Sequence, residues 1–166
     1  PPALADFGLA VFDHDRDGID DLLMIDGGFV AWAYGSAKTP FERVDYLSLS
    51  FQPLQVVMRG DRFVLLEGWY EQIGWYWPVF RMHATAIHEF DRDLQPLWRQ
   101  ELTENRSFLY PPLDLDGDGS QELIQGLNFG LIWGWWYNVP VSGEIWSVDE
   151  NDSPRFVARL GTENSL

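Results

Sequence analysis

Two stretches of this chain are near copies of each other. Leu65-Leu66-Glu67-Gly68 overlies Leu123-Ile124-Gln125-Gly126 at an offset of 58 residues. After a small insertion, Gly74-Trp75-Tyr76-Trp77-Pro78-Val79 corresponds to Gly134-Trp135-Trp136-Tyr137-Asn138-Val139-Pro140-Val141. Ile87 to Asp91 then overlies Ile145 to Asp149 at the original offset, and Leu102 meets Leu160. A looser third copy begins near Asp13, where Asp21-Leu22-Leu23-Met24 takes the part of Glu122-Leu123-Ile124. Three units of about 45 to 60 residues, each with about four short strands, are what β-propeller blades or a comparable repeat array supply. The expected fold is all-β: a propeller-like array of about three four-stranded blades in a single domain, 1–166, with approximate blades 1–48, 49–106 and 107–166.

Local patterning agrees. Fifteen glycines and ten prolines punctuate apolar runs that alternate, or are β-branched and aromatic, rather than recurring at helical spacing. The runs predict strands at 22–25, 29–34, 44–49, 63–66, 79–90, 123–125, 132–137, 143–148 and 156–160. Pro53, Pro78, Pro96, Pro111, Pro112, Pro140 and Pro154 fall between these runs or at their ends, where a missing amide hydrogen costs least. No amphipathic helix of three turns is evident.

Most of the interpretable chemistry lies in two acidic stretches, Asp13 to Asp21 and Asp114 to Glu122. Both read D-x-D-x-D-G-x-x-[DE]. Carboxylates at positions 1, 3 and 5 (Asp13, Asp15, Asp17; Asp114, Asp116, Asp118) can converge if the backbone turns sharply. Glycine at position 6 permits that turn by accepting positive φ. The position-7 carbonyl (Ile19, Ser120) and the position-9 acid (Asp21, Glu122) complete an all-oxygen cage. Hard oxygen ligands without histidine or thiolate select a hard cation, and six or seven of them in a loop suit Ca²⁺ better than octahedral Mg²⁺. At an effective dielectric near 20, two carboxylates about 4 Å apart repel by roughly 4 kcal/mol, so an ion would hold such a turn closed. The alternative is a pair of solvated acidic β-turns, since Asp and Gly are favoured there in any case. An EF-hand is excluded: its position-12 acid is replaced by Met24 and Gln125, and strands follow instead of a helix.

The two loops resemble the calcium loop of FG-GAP and VCBS repeats, the blades of integrin-α-type and related bacterial β-propellers. The signature there is a D-x-D-x-D-G-x-x-[DE]-[LIV] run entering a strand, matched by Phe12 to Leu22 and by Leu113 to Leu123. Glu89 to Trp98, a strand ending in an acidic turn before an aromatic-containing strand, is also similar to this family. The resemblance implies two structural calcium ions and a role as a structural and protein-interaction module. At the 58-residue offset the middle repeat carries Val56, Met58, Gly60 and Val64 at ligand positions, so it is expected to hold no metal. Propellers of this family close with six to eight blades. About three therefore imply either part of a larger chain or repeats that complete a ring with another subunit, and a protein partner or a homo-oligomer is expected.

Charge narrows the partners further. With 26 acids against 11 bases the formal charge is −15, which argues against a polyanion and hence against nucleic acid. No run approaches the roughly 18 to 20 unbroken apolar residues of a membrane span. The most apolar stretch, Leu127 to Val141, is interrupted by Asn128 and Asn138, although contact with a membrane-associated complex stays open. Cysteine is absent, which removes thiolate chemistry, and a chain of this length can bury roughly 70% of its unfolded surface without disulfides. The Pro1-Pro2 start suggests a processed or excised chain. Millimolar calcium outside the cytosol points to an extracellular or periplasmic, secreted or surface-exposed location.

Nine tryptophans remain to be placed, seven of them in or beside the paired aromatic segments: Trp69, Trp75, Trp77, Trp133, Trp135, Trp136 and Trp146. Packing between sheets is one use for rings that each bury about 150 to 250 Å². Strand alternation sets Trp135 opposite Trp136, so some rings should be exposed. Trp75, Trp77, Trp133, Trp135 and Trp136 are thus candidates for a partner surface or for a carbohydrate platform, the lectin-like alternative. His83 and His88, five apart, are expected on opposite faces of a strand and so make no zinc site. Arg59-Gly60-Asp61 falls where the middle repeat needs a turn and is read as one. No nucleophile elbow, phosphate loop or H-E-x-x-H is present. A glycoside hydrolase could still use a carboxylate pair among Glu67, Glu71, Asp91 and Glu144, because such pairs carry no sequence signature. The expectation is a non-enzyme.

Overall fold

The computed structural model describes residues 8–39, 41–72, 80–102, 107–128, 131–132, 135–136, 140–148 and 154–161. Within them the chain is all-β, with fourteen strands and no helix among the described residues. Consequently no helix there is long and apolar enough to cross a membrane.

Twelve of the strands form three four-stranded antiparallel sheets, each a meander in which successive strands pair. The first holds β1 (Leu9–Phe12), β2 (Asp21–Asp26), β3 (Phe29–Ala33) and β4 (Val44–Ser48). The middle sheet holds β5 (Pro53–Arg59), β6 (Arg62–Gln72), β7 (Phe80–Phe90) and β8 (Pro96–Glu101). In the third, β9 (Ser107–Leu113), β10 (Glu122–Asn128), β13 (Pro140–Val148) and β14 (Pro154–Gly161) are joined around a small hairpin of β11 (Leu131–Ile132) and β12 (Trp135–Trp136). The 132–137 run predicted as one strand is thus split, with Ile132 facing Trp135 across the hairpin.

Period-two alternation explains how the sheets stack. Along β5 and β6, Val56, Phe63 and Leu65 join Leu23, Val30 and Trp32 of the first sheet in one apolar cluster. Val57, Val64 and Leu66 join Leu109, Leu123 and Val148 of the third in another, which Leu54 also enters because the register shifts between Pro53 and Gln55. The middle sheet is therefore packed on both faces along β5 and the first half of β6, and β5 lies against β1 and β2 on one side and β9 on the other. Gln55 ties the second contact down. Its amide donates to the Leu109 carbonyl at 2.5 Å and accepts the Leu109 N–H at 2.7 Å, so a side chain takes the place of a strand partner.

Two expectations are corrected by register irregularities. Thr85 is skipped where Glu67 pairs with Ala86 and Gly68 with Ala84, a bulge on β7. The extra residue changes parity. His88 pairs with Leu65 and His83 with Trp69, four residues apart on β6, so the two histidines share a face instead of opposing one another. Pro111 and Pro112 lie inside β9 rather than beyond it, at the shift between the Glu122–Leu113 and Ile124–Tyr110 pairs. Both are tolerated because β9 is the edge strand of its sheet.

Candidate metal centre

Each acidic loop is the connection between the first two strands of its sheet. The first runs from β1 to β2 and the second from β9 to β10. The equivalent connection in the middle sheet is the tight turn Gly60-Asp61. There Val64, the counterpart of Glu122, pairs with Val57, and the ladder continues through Met58–Phe63 and Arg59–Arg62 before it reverses. Pairing replaces the loop, which leaves no carboxylate cage at this position. Arg59 of the Arg-Gly-Asp sequence is turned inward, bonded through Nε and Nη2 to both oxygens of the fully buried Glu89 at 2.6 and 2.8 Å.

The two acidic loops, 101 residues apart, share four backbone-to-carboxylate hydrogen bonds. The position-6 glycine N–H donates to the position-1 carboxylate, Gly18 to Asp13 and Gly119 to Asp114, both at 3.1 Å. Position 5 donates to position 3, Asp17 to Asp15 at 3.2 Å and Asp118 to Asp116 at 3.1 Å. Position 7 donates to position 5, Ile19 to Asp17 at 2.8 Å and Ser120 to Asp118 at 2.7 Å. Position 2 donates to the buried position-9 acid, His14 to Asp21 at 2.8 Å and Leu115 to Glu122 at 2.7 Å. Both backbones take positive φ at positions 4 and 6: Arg16 at 63° and Gly18 at 86°, Gly117 at 80° and Gly119 at 91°. Glycine at position 6 meets that demand without steric cost.

These turns draw the side chains inward. One oxygen each from Asp13, Asp15 and Asp17 lie within 4.8 Å of one another, and so do one each from Asp114, Asp116 and Glu122. Asp21 and Asp118 stand outside those two triads and serve as hydrogen-bond acceptors in their loops. A carboxylate offers about four lone-pair sites, so the amide bonds leave capacity to coordinate a cation. The donor set is oxygen only. Hard divalent ions fit it and thiophilic metals do not.

Several contacts that hold the loops in place carry no local sequence signal. Arg92, in the β7–β8 turn, donates to the carbonyls of Asp13 and His14. The Gly60 N–H donates to Gln121 Oε1 at 2.8 Å. Gly35 donates to Asp21 Oδ1 at 2.6 Å, and a Cβ there would stand 2.3 Å from the Asp20 carbonyl, so only glycine can approach this closely. Burial first, and then the Arg92 charge, push the His14 imidazole below its usual value against the pull of Asp21 and Asp15. Its ring packs among Phe12, Trp32 and Tyr34.

Of the aromatic candidates, Trp75, Trp77 and Trp133 lie outside the described residues. Trp135 and Trp136 form β12, their backbones facing Ile132 and Leu131. Among the tryptophans whose side chains are described, the exposed ring is Trp69, stacked on His83 at 5.0 Å and 7°. His83 Nε2 is 2.9 Å from Glu71 and His88 Nε2 is 2.6 Å from Glu67. Glu67 and Glu71 are four residues apart on β6, about 13 Å along an extended strand. Asp91 accepts from the Gln95 N–H within the β7–β8 turn, and Glu144 is buried on β13.

No protein-family model and no curated protein matches the chain.

Proposed function

We propose that the chain is a calcium-binding structural and protein-interaction module of the FG-GAP or VCBS type, secreted or surface-exposed, whose three sheets are consecutive blades of a propeller-like array. The reading rests on one observation above the others: two loops far apart in sequence have the same carboxylate-to-amide hydrogen bonds, the same positive-φ positions and converging acids. An ordinary acidic turn needs no such agreement. Asp13, Asp15, Asp17 and Asp21 would hold one ion with the Ile19 carbonyl, and Asp114, Asp116, Asp118 and Glu122 a second with that of Ser120. Each ion would supply the positive charge that a turn of gathered carboxylates lacks. The chain's own residues do the rest. Gly18 and Gly119 shape the turn, while Asp21 and Glu122 close it from beneath. Calcium titration by calorimetry, with magnesium as the control, tests the reading. Two sites per chain that prefer calcium are expected. No calcium-dependent heat, together with the same melting temperature in calcium and in chelator, would overturn it.

Among the described residues, the exposed Trp69 face beside Glu71 is the place that favours a carbohydrate platform. Quenching of tryptophan fluorescence by a soluble glycan, lost in Trp69→Ala, is its expected signature. A glycan panel that quenches nothing rules it out.

A further inference from the structure

The two contacts between sheets are the same contact used twice. Leu65 and its repeat counterpart Leu123 each face the preceding sheet, the first and the middle one respectively. Leu23 and its counterpart Leu66 each face the following sheet. Every sheet thus has a back and a front, and fronts pack on backs. In the stack of three, the back of the first sheet and the front of the third have no partner sheet among the described residues.

Both leftover faces are apolar. On the first sheet Leu22 is the counterpart of Leu65 and Leu123. It shares its face with Val11 and, through the Leu9–Met24, Met24–Ala31 and Ala31–Tyr46 pairs, with Leu9, Met24 and Tyr46. Phe29, two residues before Ala31, joins them. Leu9, Val11, Phe29 and Tyr46 are 45%, 55%, 49% and 70% exposed. On the third sheet Ile124, the counterpart of Leu23 and Leu66, shares its face with Tyr110, Ile145 and Ala158, all half-buried. An exposed apolar patch like that on the first sheet marks an interaction site, and the third sheet offers a flatter, half-buried apolar face.

We propose that these faces are covered by a second copy of the chain: the front of one copy's third sheet seats on the back of the other's first sheet, twice, closing a head-to-tail ring of six sheets. The occupant is argued from continuity with the internal contacts. What fits the back of a sheet in this molecule is the front of another, and front and back differ, so the contact is heterologous and must close or propagate. Area favours closure. A four-stranded face about 19 Å wide and 17 Å long has a footprint on the order of 300 Å². Counting both partners, one such contact falls below the roughly 1,200 Å² of stable specific interfaces, and two in a closed ring approach it.

The inference stands on the sheet faces and not on the metal. Light scattering after size exclusion, at about 100 μM chain and in millimolar calcium, well above a micromolar dissociation constant, tests it. The expected mass is twice the 19.2 kDa of one chain. Val11→Asp on the back and Ala158→Asp on the front should each reduce it to one chain with circular dichroism unchanged. Tyr46→Asp, at the most exposed back position, serves as a second back variant that folding cannot confound. A single-chain mass for the unmodified protein overturns the proposal. So does a species that grows without limit as concentration rises, or pairing that survives Ala158→Asp and is lost only in the back variants, which would mean back-to-back dimers. A single-chain mass with calcium binding intact fails this inference alone, and a two-chain mass without calcium binding fails the proposed function alone.

Discussion

Asp116 and Glu122 belong to the same oxygen triad, yet their surroundings differ enough to separate metal binding from ordinary turn stability. Asp116 is exposed and accepts one loop amide, whereas Glu122 is buried and is the acceptor for the Leu115 N–H. Calcium at ten times its dissociation constant stabilises a fold by about 1.4 kcal/mol. For a domain of this size that corresponds to about 3 to 6 °C. Asp116→Ala should lose that increment in calcium and change little in excess chelator. Glu122→Ala should lower the melting temperature in both, because Leu115 is left with an unpaired donor at a cost of about 1 to 3 kcal/mol. Equal effects of Asp116→Ala in the two conditions would make the loop a plain turn. His88 supports a separate prediction. Burial holds its imidazole below the ordinary 6.5, against the raising effect of its Glu67 hydrogen bond. A depressed folded value means that the fold disfavours the proton. The contribution is complete above pH 6.5 and is lost as pH falls through the folded value. Melting temperatures in chelator should therefore fall as pH drops below 6.5, and less steeply in His88→Gln. Parallel curves would refute the assignment.

At the scale of elements, β5 is where the third sheet is attached. Gln55→Leu keeps the bulk but leaves the buried Leu109 N–H and C=O without their partner. Chemical denaturation should report a loss on the order of 2 kcal/mol or more, and a loss under half of that would mean that water replaces the amide. β5 is also one of the strands the sequence hides. Strands such as β2, β3, β4 and β7 were readable because their apolar residues alternate or cluster between turn residues. β1 is four residues long and runs straight into an acidic loop, β5 opens on Pro53, and β9 contains Pro111 and Pro112, which only an edge position makes harmless. The Thr85 bulge was equally invisible, since one residue of slippage depends on packing between strands, and it decided on which face His83 falls. The acidic loops were legible because carboxylate spacing and a glycine are local features. Arg92 and Gln121 were not, because their contacts join segments 78 and 61 residues apart.

Across the whole molecule, burial is graded from the centre outward. The middle sheet is covered on both faces along β5 and the first half of β6, so the amides of that hairpin should exchange with solvent only on global opening, while β4 and β14 at the outer edges open locally. Hydrogen exchange should find β5 and β6 slowest and β4 and β14 faster by orders of magnitude, and uniform protection would contradict this grading. The same centre carries both acidic turns. Arg92 of the middle sheet grips the carbonyls of Asp13 and His14, and Gly60 of the same sheet holds Gln121. Under mechanical load, a pull that peels either outer sheet from the centre first strains these two tethers. How far the layers give before they part is then set by the stiffness of the turns at their far ends.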